Sequence, residues 1–292
     1  MKPLPSFSLH RPKTLIEALE LMWELEEAKP IAGGTDLLLL LRDGTCKAKH
    51  LVDLGLIEEL RFIREGDDQI RIGATTTHKQ LQRSPLMAEK SPALRDACAC
   101  IGSVQIRNLG TIGGNLCNAS PAADTAPPLL VLDSKVEIAS HAGSRSIPLV
   151  ELFAGPKLNS LQPCELIKEI RFPVPKKSNG MSFQRLGRRK GCTLSVVNAA
   201  AYLELDGAIC RQARLALGAV APMPLRIRDV EEMLRGQKIS QQLIGEAASA
   251  CHKLVNPVDD VRASAAYRRE MSCILMRRAL NEAWDRARRN MQ

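Results

Sequence analysis

Apolar residues recur at helical spacing near the start of the chain. Leu15, Ala18, Leu19, Met22 and Leu25 fall on one face, the pattern of an amphipathic helix. Thr14 and Glu17 stand at the T-x-x-E spacing of a capping box at its start. After Pro30 a short apolar segment, Ile31-Ala32, runs into the turn Gly33-Gly34-Thr35-Asp36. Leu37 to Arg42 then reads as a buried helix stopped at Gly44. Beyond it the pattern becomes that of strands. Leu51 to Leu54 is strand-like, and 60–64 and 69–73 flank the turn Glu65-Gly66-Asp67-Asp68. Thr77 is placed to cap a short helix through Leu81, and another helix spans about Pro92 to Ile101. Residues 107–124 are the most unusual segment, almost all of them small or turn-forming.

Val136 to Ser140 and Arg145 to Leu149 are expected to pair around residues 141–144, and Glu165 to Phe172 is a strand stopped by Pro173 and Pro175. The Pro- and Lys-rich stretch 173–180 is the candidate linker. After it come strands at 181–186, 196–205 and 211–220, with Asp206-Gly207 as a hairpin turn. Helical patterns at 222–235, 240–255 and 259–290 close the chain. This order predicts an α+β protein, with an N-terminal domain over 1–175 (subdomains of about 1–55 and 56–175) and a smaller α+β domain over 181–292.

Composition narrows the class. A chain of 292 residues, 45% hydrophobic and 25% charged, is neither a disordered segment nor a fibrous or disulfide-dense one. Only nine residues are aromatic (Phe 5, Trp 2, Tyr 2), so the core must be aliphatic. The longest apolar run, Leu37 to Leu41, is far below the ~20 residues of a membrane span. The N-terminus has no apolar segment of the export type, and a cytoplasmic location is expected. Nine scattered cysteines fit reduced thiols better than a disulfide framework. The net charge is 41 − 32 = +9. The densest basic stretch, Arg277 to Arg289, carries Trp284 as its only aromatic, which disfavours single-stranded nucleic acid as a partner.

Two glycine-rich turns, Ala32 to Asp36 and Gly110 to Asn115, are the candidate ligand-binding features. Glycine permits φ > 0 and close approach of backbone to a ligand, and successive free N–H groups make a concavity suited to phosphate oxygens. Neither turn matches G-x-G-x-x-G, and G-x-x-x-x-G-K-[ST] is absent, so Rossmann and P-loop chemistry is disfavoured. Asp124, ahead of the apolar stretch 126–132, reads either as an N-cap or as an acceptor for sugar hydroxyls. Cys98, Cys100 and Cys117 lack C-x₂-C spacing and read as packed thiols. The five histidines (10, 50, 78, 141, 252) are isolated, and no nucleophile elbow is present. Binding loops without catalytic side chains suit a chain whose chemistry belongs to a cofactor.

Ala32-Gly33-Gly34-Thr35-Asp36, and Gln105 to Asn108 running through Gly110-Thr111-Ile112-Gly113-Gly114-Asn115 to Ser120-Pro121-Ala122-Ala123-Asp124, resemble the two FAD-binding motifs of one family. It is the flavoprotein (medium) subunit family of molybdenum hydroxylases, of the xanthine dehydrogenase and carbon monoxide dehydrogenase types. Residues 161–170, 217–224 and 260–268 resemble further segments of the same family. The resemblance implies a two-subdomain FAD-binding domain of the vanillyl-alcohol-oxidase type, followed by a smaller C-terminal domain. It implies that Lys29, Pro30, Ile31, Ala32, Gly33, Gly34, Thr35 and Asp36, with Gly110, Thr111, Ile112, Gly113, Gly114 and Asn115, hold the FAD pyrophosphate. Asp124 would meet ribityl or ribose hydroxyls, and Ile101 and Ile167 would touch the cofactor through apolar contact. Phe183 and Gln184 would lie on the strand entering a loop near the flavin ring, the basic loop 187–193.

No cysteine-rich insertion of the hydroxybenzoyl-CoA reductase type is visible, so FAD is the one cofactor expected in this chain, with no metal. The partners implied are a molybdopterin-binding large subunit and a small subunit carrying [2Fe–2S] clusters, in a dimer of heterotrimers. The chain would pass electrons from those clusters to an acceptor such as NAD or quinone. The alternative is a free-standing FAD-dependent oxidoreductase of the same fold superfamily.

Overall fold

The computed structural model describes residues 3–189 and 191–291; Lys190, in the basic loop, lies outside them. The chain opens on a small parallel sheet. β1 (Ser8–His10), α1 (Leu15–Glu24), β2 (Ala28–Ile31), α2 (Leu37–Asp43) and β3 (His50–Asp53) follow in order, and the strands lie as β1-β3-β2. Successive strand residues face opposite sides. Val52 therefore clusters with Leu15, Ala18, Leu19 and Met22 of α1, while Leu51 clusters with Leu41 of α2. At the start of α1 the Thr14 hydroxyl accepts the Glu17 N–H. The Glu17 carboxylate takes the Lys13 N–H at 2.8 Å, one residue short of closing the expected box. The three residues of β1, and the Lys29-Pro30 pair within β2, left both strands without a readable pattern.

The second layer system holds β4 (Ile63–Gly66), β5 (Gln69–Gly73), α3 (His78–Arg83), α4 (Pro85–Lys90), α5 (Pro92–Cys100), α6 (Val104–Leu109), α7 (Ile112–Cys117) and α8 (Ala126–Val131). It continues with β6 (Lys135–Ser140), β7 (Gly143–Pro148), α9 (Leu149–Leu152), β8 (Phe153–Gly155), β9 (Leu158–Asn159) and β10 (Leu166–Pro173). Its antiparallel sheet runs β4-β5-β10-β6-β7. Ile70, Ile72, Val136, Ile138, Ile170 and Phe172 turn one face of it into an aliphatic core with α3, α5, α7 and α8. The stretch 107–124, rich in small and turn-forming residues, contains the end of α6 and all of α7. Ser103 and Thr111 cap these helices through their hydroxyls, and that local signal outweighs the low helix propensity of Gly113 and Gly114.

The third sheet, β11 (Asn179–Gly187), β12 (Ser195–Asp206), β13 (Ile209–Gly218) and β14 (Leu225–Arg226), is antiparallel in that order. α10 (Arg228–Leu234), α11 (Gln241–Leu254) and α12 (Ala265–Asn290) complete the chain. The helical pattern expected over 222–235 begins only at Arg228, since Pro222 and Pro224 hold the preceding residues extended. That expected over 259–290 begins at Ala265, capped by Ser264. β12 is buried on both faces. Ala199, Ala201 and Leu203 face the core with α11 and α12, and Ala200 and Tyr202 join the core of the second sheet. The expected linker is thus only the short connection between β10 and β11, and β11 to β13 pack on α5 and α8. No helix of the described residues is long and apolar enough to cross a membrane.

Candidate functional site

Two chambers meet between these parts. The first, about 470 Å³, is lined by residues 29–37, by Gly110, Thr111, Gly114 and Asn115, and by His78, Ile101, Lys157 and Asn159. The second, about 800 Å³, lies between residues 120–124 and two segments of the C-terminal part, 192–194 and 256–262. Thr35, Asp36, Ile101, Ile106, Asn115, Asn118 and Lys157 line both, so the chambers form one elongated cleft.

The two glycine segments differ in what they offer. Among the described residues, the backbone N–H groups of Gly33, Gly34, Thr35, Asp36 and Leu37 have no acceptor, and all five residues line the first chamber. Such a run of free donors at a turn entering a helix attracts anions. Gly34 sits at φ +66°, where glycine is favoured. Gly33 has a different reason to be glycine. A Cβ there would stand 2.0 Å from the Leu109 carbonyl oxygen, so it is the point where the two segments touch.

The second segment is the capped start of α7, and most of its donors are already used. Ile112 N–H goes to Thr76 O and Gly113 N–H to Ala74 O. Gly114 N–H goes to the Thr111 hydroxyl, and Asn115 N–H to Thr111 O. Gly110, Thr111, Gly114 and Asn115 still line the cleft, with Ile101. Ile112 and Gly113 do not: both are buried, and a Cβ on Gly113 would meet Ala74. Of the two expected phosphate cradles, the first thus offers the longer run of free amides, because the carbonyls of Thr76 and Ala74 and the Thr111 cap take those of Ile112 to Asn115.

Asp124 lines the second chamber and does not cap α8, whose N-cap is Thr125. Its carboxylate accepts from the Ser195 hydroxyl at 2.5 Å and from Asn198 Nδ2 at 2.7 Å, and lies 3.2 Å from Arg185 Nε. Burial pushes its carboxyl above the ordinary value, opposed by Arg185 and the two hydrogen bonds. Ile167 is buried in β10, and Phe183 in β11. Gln184 donates to Glu282 of α12 at 2.6 Å. None of these three lines either chamber: Ile167 packs from β10 into the core of the second sheet, and the alternation of β11 turns Phe183 into that core and Gln184 toward α12.

Sequence reading missed Lys157, Asn118, Arg185, Ser195, Asn198 and the loop 256–262. Only Asn198, a polar residue inside the apolar run of β12, carried a signal. In that loop Asp260 pairs with Arg262 at 2.5 Å and with the buried Arg268 at 2.6 Å. Burial would raise the Asp260 carboxyl, but hydrogen bonds from Arg262 and Arg268 outweigh it and hold it well below the usual carboxylate range. Arg268 also donates to Val196 O and Ala219 O, which fixes the far wall of the second chamber.

His78, one of the isolated histidines, is a wall of the first chamber and 2% exposed. Burial, with a smaller effect of Arg107, pushes its pKa down to about 4. A buried neutral imidazole resists protonation that the unfolded chain accepts, so stability is complete above about pH 6.5 and is lost as pH falls toward 4. The loss at full protonation is roughly 3 kcal/mol. Replacing His78 by Gln is expected to flatten the urea midpoint between pH 7 and 4; an unchanged pH dependence would remove His78 as its source. Cys98 Sγ lies 3.9 Å from His78 Nδ1. Burial pushes the Cys98 thiol strongly up and the Cys117 thiol up to about 12. Among the described residues no three His, Cys, Asp or Glu side chains are grouped to hold a metal ion.

A long cleft with a run of free amides beside a lysine that has no carboxylate partner, opening into a more apolar chamber, has the form suited to an extended anionic ligand with an apolar end. A dinucleotide has that form. Residues 5–175 match the family model described as the FAD binding domain in molybdopterin dehydrogenase, and 182–283 match the CO dehydrogenase flavoprotein C-terminal domain. The chain is 34% identical to a putative xanthine dehydrogenase FAD-binding subunit of Escherichia coli, covering 94% of this chain and 95% of that one. It is 33% identical to the carbon monoxide dehydrogenase medium chain of Afipia carboxidovorans, covering 97% and 98%. A solved carbon monoxide dehydrogenase chain from Hydrogenophaga pseudoflava superposes with a TM-score of 0.93 at 32% identity, covering 97% of this chain and 99% of that one. The chain belongs to the family of FAD-binding medium subunits of molybdenum hydroxylases, and FAD is its cofactor.

Proposed function

We propose that the cleft holds FAD along its length, with the pyrophosphate on the free N–H groups of 33–37 and the isoalloxazine ring in the second chamber. The observation that carries this reading is the run of five unspent amides in the smaller chamber, reaching the junction with a larger and more apolar one. Thr35, Thr111 and Asn115 add side-chain donors and acceptors along the wall, and Ile101 presents an apolar surface to both chambers. The Arg185–Asp124–Ser195–Asn198 cluster fixes the junction of the two halves, and the 256–262 loop closes the chamber.

Bound FAD supplies the exchange between one-electron and two-electron steps, here between the [2Fe–2S] clusters of a small partner subunit and an acceptor such as NAD or quinone. The substrate is oxidised on a molybdopterin-binding large subunit, and the assembly is a dimer of heterotrimers. Leu39, Leu194 and Val258 line the second chamber yet are 58%, 60% and 71% exposed. An apolar rim of this kind suits a mouth covered by another chain. The +9 charge favours association with acidic surfaces.

The reading is tested with the FAD-loaded chain alone and with the co-expressed partners. The lone chain is expected to show no dehydrogenase activity toward purines, aldehydes or N-heterocycles with an artificial acceptor. Activity appears when the molybdenum and iron–sulfur chains are present. Turnover by the lone, metal-free chain would establish the free-standing oxidoreductase instead.

A further inference from the structure

Lys157 stands where the two chambers meet and lines both. It forms the turn between β8 and β9 at φ +62°, a left-handed conformation uncommon for a side-chain-bearing residue. Two contacts hold it there. Its N–H donates to the carbonyl of Ala119 at 3.0 Å, Ala119 itself being left-handed at φ +44°. Asn159, two residues on, donates through Nδ2 to Cys117 O at 2.8 Å. The hairpin tip is thereby fixed on the end of α7, with the lysine leaning into the cleft.

Among the described residues the ammonium has one partner. Nζ donates to Asn118 Oδ1 at 2.9 Å, and Asn118 Nδ2 donates onward to Asp36 Oδ1 at 3.0 Å. Among the described residues no carboxylate lies within ion-pair distance of Lys157. The arginines of the second chamber, Arg262 and Arg268, are committed to Asp260. An ammonium has three donors, and a single neutral amide oxygen leaves two of them, and the charge, without a partner in the protein. The run of free amides at 33–37 includes Asp36, at the other end of this short polar bridge.

We propose that Lys157 is the cation that engages the bridging phosphates: on binding, its ammonium leaves Asn118 Oδ1 for the pyrophosphate oxygens, opposite the 33–37 amides. This rests on the reading that the cleft holds FAD. Lys157 acts from the exposed tip of a hairpin, so its removal does not disturb the core.

The test uses the full chain stripped of flavin, with Lys157→Met and Lys157→Arg beside the wild type. Dissociation constants for FAD, ADP and riboflavin are measured by fluorescence and calorimetry at low and high salt. Lys157→Met is expected to weaken FAD and ADP by about tenfold or more at low salt and to flatten their salt dependence, since a charge-assisted contact is lost. Riboflavin, which carries no phosphate, should bind both forms alike, and Lys157→Arg should recover most of the FAD affinity. Equal FAD affinity and salt dependence in wild type and Lys157→Met would overturn this proposal while leaving the cofactor reading standing. Failure of the wild type to bind FAD would overturn both.

Discussion

Gly33→Val is expected to emerge from purification without FAD and less stable than the wild type by about 2–4 kcal/mol, the range of a severe steric misfit in a packed region. The cause is geometric. A Cβ on Gly33 would stand 2.0 Å from Leu109 O, 2.5 Å from Leu109 C and 3.0 Å from Gly110 Cα. All three are backbone atoms, so no side-chain rotation relieves the overlap, and the two segments must separate. Separation moves the 33–37 amides away from the Thr111–Asn115 wall that faces them across the cleft. Gly34→Val makes a useful contrast. It is strained at φ +66°, but its Cβ meets only the side-chain ends of Leu38 and Ile31 at 3.1–3.2 Å, so its effect should be smaller. Gly245→Ala in α11, where nothing lies within 4 Å, should be neutral or stabilising by up to about 1 kcal/mol. Flavin released on denaturation and urea unfolding read all three variants. Full occupancy in Gly33→Val would show that contact between the segments is not needed to hold the cofactor.

The contrast between Gly33 and Gly34 also marks how far the sequence could be read. Period and turn chemistry located α1, the strand pairs and the apolar run of β12, because each is a local pattern with one physical cause. The glycine segments were legible as sites of close backbone approach. What they approach was not. Gly33 meets another stretch of backbone, Gly113 meets Ala74, and the first segment keeps a whole run of amides free where the second spends most of its own. Whether an N–H is spent depends on where Thr76 and Ala74 place their carbonyls, which is a matter of tertiary position. Lys157 illustrates the same limit from the other side. Gly155-Pro156-Lys157 reads as any surface turn, and its lysine matters only because β8 and β9 fold that turn onto Ala119 at the waist of the cleft. The expectation that Phe183 and Gln184 lie on the strand entering a loop near the ring rested on resemblance, and no local pattern could show that Gln184 on that strand donates to Glu282.

Asp124→Ala is expected to destabilise the flavin-free chain by about 3–5 kcal/mol, the cost of stranding one partner of a buried ion pair. The side chains of Asp124 and Arg185 are each only 8% exposed. Arg185 would keep the Ser195 hydroxyl at 2.7 Å and the Thr193 carbonyl as partners, neither of which carries charge. Ser195 and Asn198 would lose the acceptor that ties β12 to residues 120–124. Those contacts join the two halves of the second chamber, so FAD affinity should fall together with stability. Asp124→Asn keeps the shape but not the charge, and should fall between the alanine variant and the wild type. Removing both charges separates the terms: Asp124→Ala with Arg185→Met should recover at least half of the lost stability, because no unpaired guanidinium remains buried, while FAD affinity stays low. Urea unfolding gives the first quantity and flavin titration the second. If the double variant were as unstable as the single one, the cost would lie in the Ser195 and Asn198 hydrogen bonds, and the ion pair would not be what holds the halves of the cleft together.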